Sequence, residues 1–174
     1  KIKLKKSAYN LPYGSTYNFK KQVIAAGKLT FKSSNSKIIY INKRTGKMTV
    51  KKPGKVTITI TAGATASYKA AKKRVIVYVV PKKQKLKKVA GAGKKVKVTL
   101  NRDAKASGYQ IMTSSDRTFK TDKKVTLSKG NRKRNIVSKQ SGKGTYYVKA
   151  RSYTQIGKKR YYAPWSNVKK ITLK

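Results

Sequence analysis

Lys55-Val56-Thr57-Ile58-Thr59-Ile60-Thr61 is the stretch that decides the fold. Successive side chains of an extended strand point to opposite faces, so Val56, Ile58 and Ile60 share one face and the threonines take the other. A helix would instead place apolar residues every three to four positions. Lys94 to Leu100 repeats the alternation with Val96, Val98 and Leu100. Further along, Ile76, Tyr78 and Val80 alternate with Val75, Val77 and Val79, so that segment is apolar on both faces. Such a strand is expected either centrally under a second domain or with its outer face against another copy.

Turn signals stand between these runs at short spacing: Arg44-Thr45-Gly46, Lys52-Pro53-Gly54, Ser107-Gly108, Lys129-Gly130-Asn131 and Ser141-Gly142. Short alternating strands separated by such turns predict an all-β chain with little helix, folded as sandwiches whose cores are the inward residues of two sheets. The boundary is expected at Pro81-Lys82-Lys83-Gln84-Lys85. Pro81 cannot donate to a sheet ladder, and the lysines that follow repel one another. The reading is a domain over 1–80, a solvated basic linker over 81–87 and a second domain over 88–174.

The 174 residues hold 47 Lys and Arg against three acids, Asp103, Asp116 and Asp122, for a net charge of +44 with no Glu, His or Cys. General acid/base work near neutral pH relies on His or on paired carboxylates, and three scattered Asp supply neither. Zinc, iron and calcium sites need Cys, His or clustered carboxylates, so no metal or other cofactor is expected. No G-x-S-x-G elbow, S-x-x-K signature or phosphate-cradling glycine loop is present, which argues against a Ser or Lys nucleophile. The expectation is a non-enzyme. The absence of Cys fits either the cytoplasm or exported bacterial proteins that avoid it. No apolar run approaches the ~20 residues of a membrane span, so no membrane insertion is expected, and Lys1 reads as a processed or truncated start.

Two resemblances follow from particular residues. Gly27 to Asn42, with Leu29-Thr-Phe31, Ser33-Ser-Asn35 and Ile38-Ile-Tyr-Ile41, followed by Thr45-Gly46 and the strand to Ile60, resembles the bacterial immunoglobulin-like group 2 domain. Ala106 to Ile111, Gly144 to Tyr153 and Tyr162-Ala-Pro-Trp-Ser-Asn-Val168 resemble a fibronectin type III domain. In that second family a tyrosine before strand F bonds the backbone at a corner, and Tyr146 is the matching position, while Leu100 stands where a core Trp is usual. Together they imply two tandem immunoglobulin-like β-sandwich domains, similar to parts of secreted or surface-attached proteins of Gram-positive bacteria.

A chain that needs only solubility can mix signs, whereas this one keeps a single sign at a cost in self-repulsion. The expected partner is therefore an anionic polymer: wall teichoic acid, an acidic glycan or nucleic acid. The competing expectation is a spacer or self-associating stalk module whose lysines maintain solubility. Candidate binding residues are Lys72, Lys73 and Arg74; the loop Lys129, Arg132, Lys133 and Arg134; and the hairpin Lys158, Lys159 and Arg160. On the strand Tyr146–Tyr153, Tyr147, Lys149, Arg151 and Tyr153 form an outward stripe if Tyr146, Val148 and Ala150 face inward. Rings alternating with cations suit stacking on sugars or bases; cross-strand packing on Tyr161 or Tyr162 is the alternative. Trp165 is expected to cover the open end of the second sandwich.

Overall fold

The computed structural model describes residues 1–130 and 135–174. The chain divides into two units, Lys1–Val80 and Pro81–Lys174. In the first unit the elements are β1 (Lys3–Leu4), β2 (Tyr9–Pro12), β3 (Thr16–Asn18), a 3-10 turn (Phe19–Gln22), β4 (Val23–Ile24), β5 (Leu29–Ser33), β6 (Ile39–Ile41), β7 (Lys47–Val50), β8 (Gly54–Ala62) and β9 (Ala71–Val80). One sheet has the order β2-β9-β8-β5 and the other β3-β7-β6, with β1 and β4 as a short ribbon. All pairings are antiparallel except β2 on β9.

The alternation in β8 is realised as read. Val56, Ile58 and Ile60 are buried and Thr57, Thr59 and Thr61 lie on the outer face. They pack with Phe19, Phe31, Ile39, Met48 and Val77 in one core, and the Phe19 ring meets Tyr9 and Phe31 edge-on at 5.2 and 6.3 Å. Gly46 turns the chain between β6 and β7 with φ of +67°, and a Cβ there would press on Lys20 and the Phe31 ring at 3.0 Å. Only glycine meets both conditions cheaply. β9 lies between β2 and β8, with Val75, Val77 and Val79 in the core and Ile76 38% exposed on the outer face.

The second unit contains β10 (Leu86–Ala92), β11 (Lys95–Leu100), β12 (Gly108–Ser114), β13 (Lys124–Lys129), β14 (Asn135–Lys139), β15 (Gly144–Ile156), β16 (Lys159–Tyr162) and β17 (Lys169–Leu173). One sheet is β10-β11-β14, and the other is β13-β12-β15-β16 with β17 also paired to β15. Tyr109, Ile111, Val96, Val98, Leu100, Val148 and Ala150 are nearly inaccessible and form the core, Leu100 at the position where the resembled family carries Trp. The stretch 81–87 differs from the solvated linker expected. Pro81, Gln84 and Leu86 are buried, Leu86 opens β10, and the Ser152 hydroxyl donates to the Lys82 carbonyl at 3.0 Å. Apolar and amide side chains at every second or third position hold this segment down while its lysines face water.

Tyr146 packs against the second core and its Oη donates to the Gly142 carbonyl at 3.0 Å. One net hydrogen bond contributes about 1 kcal/mol. Tyr146→Phe is expected to lower the stability of the second unit by about that amount. Urea unfolding followed by fluorescence of Trp165, the single tryptophan, reads the change in that unit alone.

Candidate anion-binding surfaces

The stripe on β15 has the expected parity and a different occupation. Gly108, Gln110, Met112 and Ser114 of β12 stand opposite Tyr153, Arg151, Lys149 and Tyr147, all on the outer face. Lys149 Nζ lies 3.8 Å from the Phe119 ring centroid and 5.1 Å from that of Trp165. Arg151 Cζ lies 4.1 Å from Trp165 and 3.9 Å from Tyr162. The order is thus Phe119, Lys149, Trp165, Arg151, Tyr162: a stack in which each cation sits between two rings. Arg151 Nε also donates to Gln110 Oε1 at 2.7 Å. Burial pushes the Lys149 ammonium below the usual lysine range, and the Arg151 and Lys123 charges add to it. Burial lowers Arg151 as well, with Tyr162 opposing. Both cations are thus engaged by rings of the fold.

Tyr153 corrects the same expectation more sharply. It is 2% exposed although it stands on the outer face. Gly108 opposite leaves the space: a Cβ there would strike Ser128 and the Tyr153 phenol, so the ring lies down over the glycine. Tyr162 covers it at 5.7 Å and the Arg160 guanidinium approaches at 5.4 Å. Tyr147 is half-buried between Ser114 and Lys170. Cross-strand packing on Tyr162, the alternative reading, is what Tyr153 makes.

Trp165 does not cover the open end of the sandwich. The last strand is interrupted between β16 and β17 by Ala163-Pro-Trp-Ser-Asn-Val168, and Pro164 cannot donate to a ladder. Ser166 restores the contact with β15: its N–H donates to the Ala150 carbonyl at 2.8 Å and its Oγ accepts from the Ala150 N–H at 2.9 Å. That pairing holds the neighbouring indole over Lys149 and Arg151. Phe119 is presented from the other side by the Asp116 loop, where it adopts a φ of +57°.

Three basic groups remain outside the stack. Lys129, Tyr153, Arg160, Ser107 and Gln155 line a recess of about 320 Å³, which brings the hairpin and loop candidates together. Lys158 and Lys159 are exposed beside Arg160 on the same hairpin. Arg132, Lys133 and Arg134 lie outside the described residues. On β9, Lys72 and Arg74 project from the outer face opposite Thr61 and Thr59, whereas Lys73 pairs with Ile60 and its ammonium donates to the Ile2 carbonyl at 3.3 Å. Lys72 and Arg74 line an open groove of about 720 Å³ that also contains Lys32, Tyr40 and Lys43. Sequence reasoning missed this groove, although Tyr40 between the buried Ile39 and Ile41 is an outward ring by alternation.

The three carboxylates are used locally. Asp116 accepts from the Thr118 hydroxyl at 2.7 Å and from the Thr118, Lys120 and Thr121 N–H groups at 2.8, 2.7 and 3.3 Å. The Thr118 hydroxyl first, and these N–H groups after it, hold its carboxyl well below the usual carboxylate range. Asp122 accepts from the Ser115 hydroxyl at 2.8 Å, and the buried Asp103 accepts from the Lys105 N–H at 3.0 Å. Among the described residues no group of His, Cys, Asp or Glu is placed to hold a metal ion.

Fold and surface define tandem immunoglobulin-type β-sandwich modules. Residues 1–75 match the bacterial Ig-like domain (group 2) family. Among solved structures the chain is similar to the FN1-FN3 domains of chicken CNTN1, at 12% identity and a TM-score of 0.44, covering 98% of this chain and 64% of that one. It is also similar to a cytokine receptor complex, at 9% identity and a TM-score of 0.55, covering 98% of this chain and 95% of that one. The latter likeness is one of fold. No curated protein matches the sequence. Domains of the group 2 type are generally non-catalytic binding or structural modules and occur in bacterial surface proteins. No helix among the described residues is long and apolar enough to cross a membrane.

Two outcomes follow from this surface. Arg151→Ala is expected to destabilise the second unit by about 1 kcal/mol, since a half-covered cation over aromatic faces contributes on that order. Arg151→Lys should restore only part, because a compact ammonium lacks the stacked plane and the Gln110 bond; urea unfolding by Trp165 fluorescence checks both. For Asp116 the folded carboxyl titrates below the unfolded one, so its stabilisation is present above about pH 4 and is lost as pH falls toward the folded value. The stability difference between the wild type and Asp116→Asn should therefore shrink between about pH 5 and pH 2.

Proposed function

We propose that this chain is a non-catalytic extracellular or cell-surface module of a bacterium that holds an anionic polymer through its basic surface. The observation that carries the reading is the disposal of charge. Residues 1–80 contain nineteen Lys and Arg, all of them exposed, and no acidic side chain. The three Asp of the second unit are engaged in local hydrogen bonds, and only Lys149, Arg151 and Lys169 among its described cations are even half-buried. Like charges kept this close oppose the compact state unless counterions or a bound polyanion screen them. Within the second unit, Lys129 and Arg160 at one recess, with Lys158 and Lys159 exposed on the same hairpin, are the described candidate cations outside the stack. Most cations are Lys, a hydrated point charge, so binding follows charge density more than the identity of the anionic group.

The rival reading is a spacer or self-associating stalk. It draws on the exposed Val125 and Leu127, successive outward residues of β13, as the apolar surface through which copies would meet. Chromatography separates the two. A dedicated binder is expected to elute from heparin, teichoic-acid or DNA matrices beyond about 0.5 M salt, clearly later than from a simple cation exchanger of similar charge density. Identical elution from every matrix, together with concentration-dependent association by sedimentation, would replace the polymer reading with the stalk.

A further inference from the structure

The groove on the first unit carries a more specific reading, which rests on the polymer-binding proposal and names its ligand and its place. β5, β8 and β9 set their outer residues in register: Lys32, Thr59 and Arg74 form one row, and Thr30, Thr61 and Lys72 the next. Neighbouring strands are about 4.8 Å apart and successive outward residues along a strand about 6.6 Å, so three cations and three hydroxyls share a nearly regular grid. The groove extends from this grid to Tyr40 and Lys43. Tyr40 is 47% exposed, yet Ile39 and Ile41 on either side are buried in the core, so the backbone that carries the ring is anchored. Lys51 Nζ lies over that ring at 5.7 Å, adding a cation beside it. Since residues 1–80 include no carboxylate side chain, nothing within the unit neutralises Lys32, Lys43, Lys72 or Arg74.

We infer that this groove binds a segment of an acidic polysaccharide. The apolar C–H face of a pyranose lies on the Tyr40 ring, the sugar hydroxyls meet the Thr and Ser hydroxyls of the floor, and the carboxylate or sulfate groups meet Lys32, Lys72 and Arg74. The same features disfavour nucleic acid. Single-stranded sites stack successive bases on several aromatic platforms, and this groove offers one exposed ring. Duplex readout uses a helix or a two-stranded ribbon that enters the major groove, and the groove is a concavity, not a projection.

The test uses the full 174-residue chain and fluorescence polarisation with labelled chondroitin sulfate, polygalacturonate and a single-stranded DNA oligonucleotide. Three variants are compared with the wild type: Tyr40→Ala, the pair Lys32→Gln with Arg74→Gln, and the control pair Lys5→Gln with Lys6→Gln, which removes equal charge from exposed positions outside the groove. Tyr40→Ala and the groove pair are each expected to weaken binding of at least one of the two polysaccharides about tenfold, the size of one lost ring or charge-assisted contact. The control pair should weaken it less than about threefold, and Tyr40→Trp should bind at least as well as the wild type, because Trp has the better π face. The sulfated and carboxylated probes distinguish which anionic group the groove prefers, and either preference supports the inference. If the wild type binds polysaccharide but the groove pair behaves like the control pair, the groove assignment falls and the polymer reading stands. If the wild type is held by none of the probes more firmly than by a cation exchanger, the polymer reading falls and takes this inference with it. If Tyr40→Ala weakens DNA as much as polysaccharide, the assignment to a sugar polymer is overturned. Melting temperatures within about 2 °C of the wild type, corresponding to well under 1 kcal/mol, confirm folded variants; should Tyr40→Ala miss that mark, the exposed Lys32/Arg74 pair decides.

Discussion

Charge of a single sign, and the need to leave all of it in water, is the constraint on which both units are built. Two lysines at successive outward positions of a strand stand about 6.6 Å apart and repel by about 0.6 kcal/mol in water before salt screens them. With no carboxylate available in residues 1–80, that repulsion cannot be offset by pairing. The strand solves the geometric half of the problem. Its period of two sends every second residue outward regardless of sheet position, so β7 and β8 expose Lys47, Thr49, Lys55 and Thr57 while Met48, Val50, Val56 and Ile58 fill the core. Burying apolar surface then never requires burying an ammonium group.

On β15 of the second unit this separation is relaxed, and the compensation there is instructive. Lys149 and Arg151 are half-covered on the outer face of β15 with no carboxylate against them among the contacts of the stack. In a mixed-charge protein, Asp or Glu would occupy such positions. Here the negative faces of Phe119, Trp165 and Tyr162, together with the Gln110 amide oxygen, take that role. The burial that lowers the pKa of both cations is the cost, and the ring contacts and the Gln110 bond offset it. Asp116 shows the converse. A carboxylate amid lysines bonds no neighbouring ammonium in the loop but instead nests in the N–H groups that shape it, and so fixes Phe119 at the end of the stack.

How much was legible follows from which part of this physics is local. Val56, Ile58 and Ile60, and Val96, Val98 and Leu100, declared two sandwiches because alternation is a property of a single strand. Tyr147, Lys149, Arg151 and Tyr153 were placed on the correct face for the same reason. What their strand could not reveal was the neighbour: Trp165 arrives through the break at Pro164, Phe119 from a loop thirty residues upstream, and Tyr153 sinks because residue 108 on the adjacent strand is glycine. The groove was missed for a related reason. Lys72 and Arg74 stood out as part of a charge run, but Lys32, Tyr40 and Lys43 are unremarkable in sequence and become a surface only when β5, β8 and β9 fall into register beside the end of β6.

This divides the cations into those that build the fold and those the fold leaves over, and only the second kind can serve a ligand. Rings follow the same division. Tyr153, Tyr162 and Trp165 pack among cations within the fold, whereas Tyr40 is 47% exposed at a groove whose cations face solvent, with Lys51 over its ring at 5.7 Å. An anionic polymer laid along that face would relieve the repulsion that folding concentrates there, so binding and stability would be linked: a ligand at a hundred times its dissociation constant adds about 2.7 kcal/mol to the folded state. Self-repulsion and ligand affinity are on this account one quantity measured twice, since the field that weakens the empty module is the field that draws the polymer in. The unit without an acidic side chain, residues 1–80, is also the one that sets an exposed ring, Tyr40, at the edge of its basic groove.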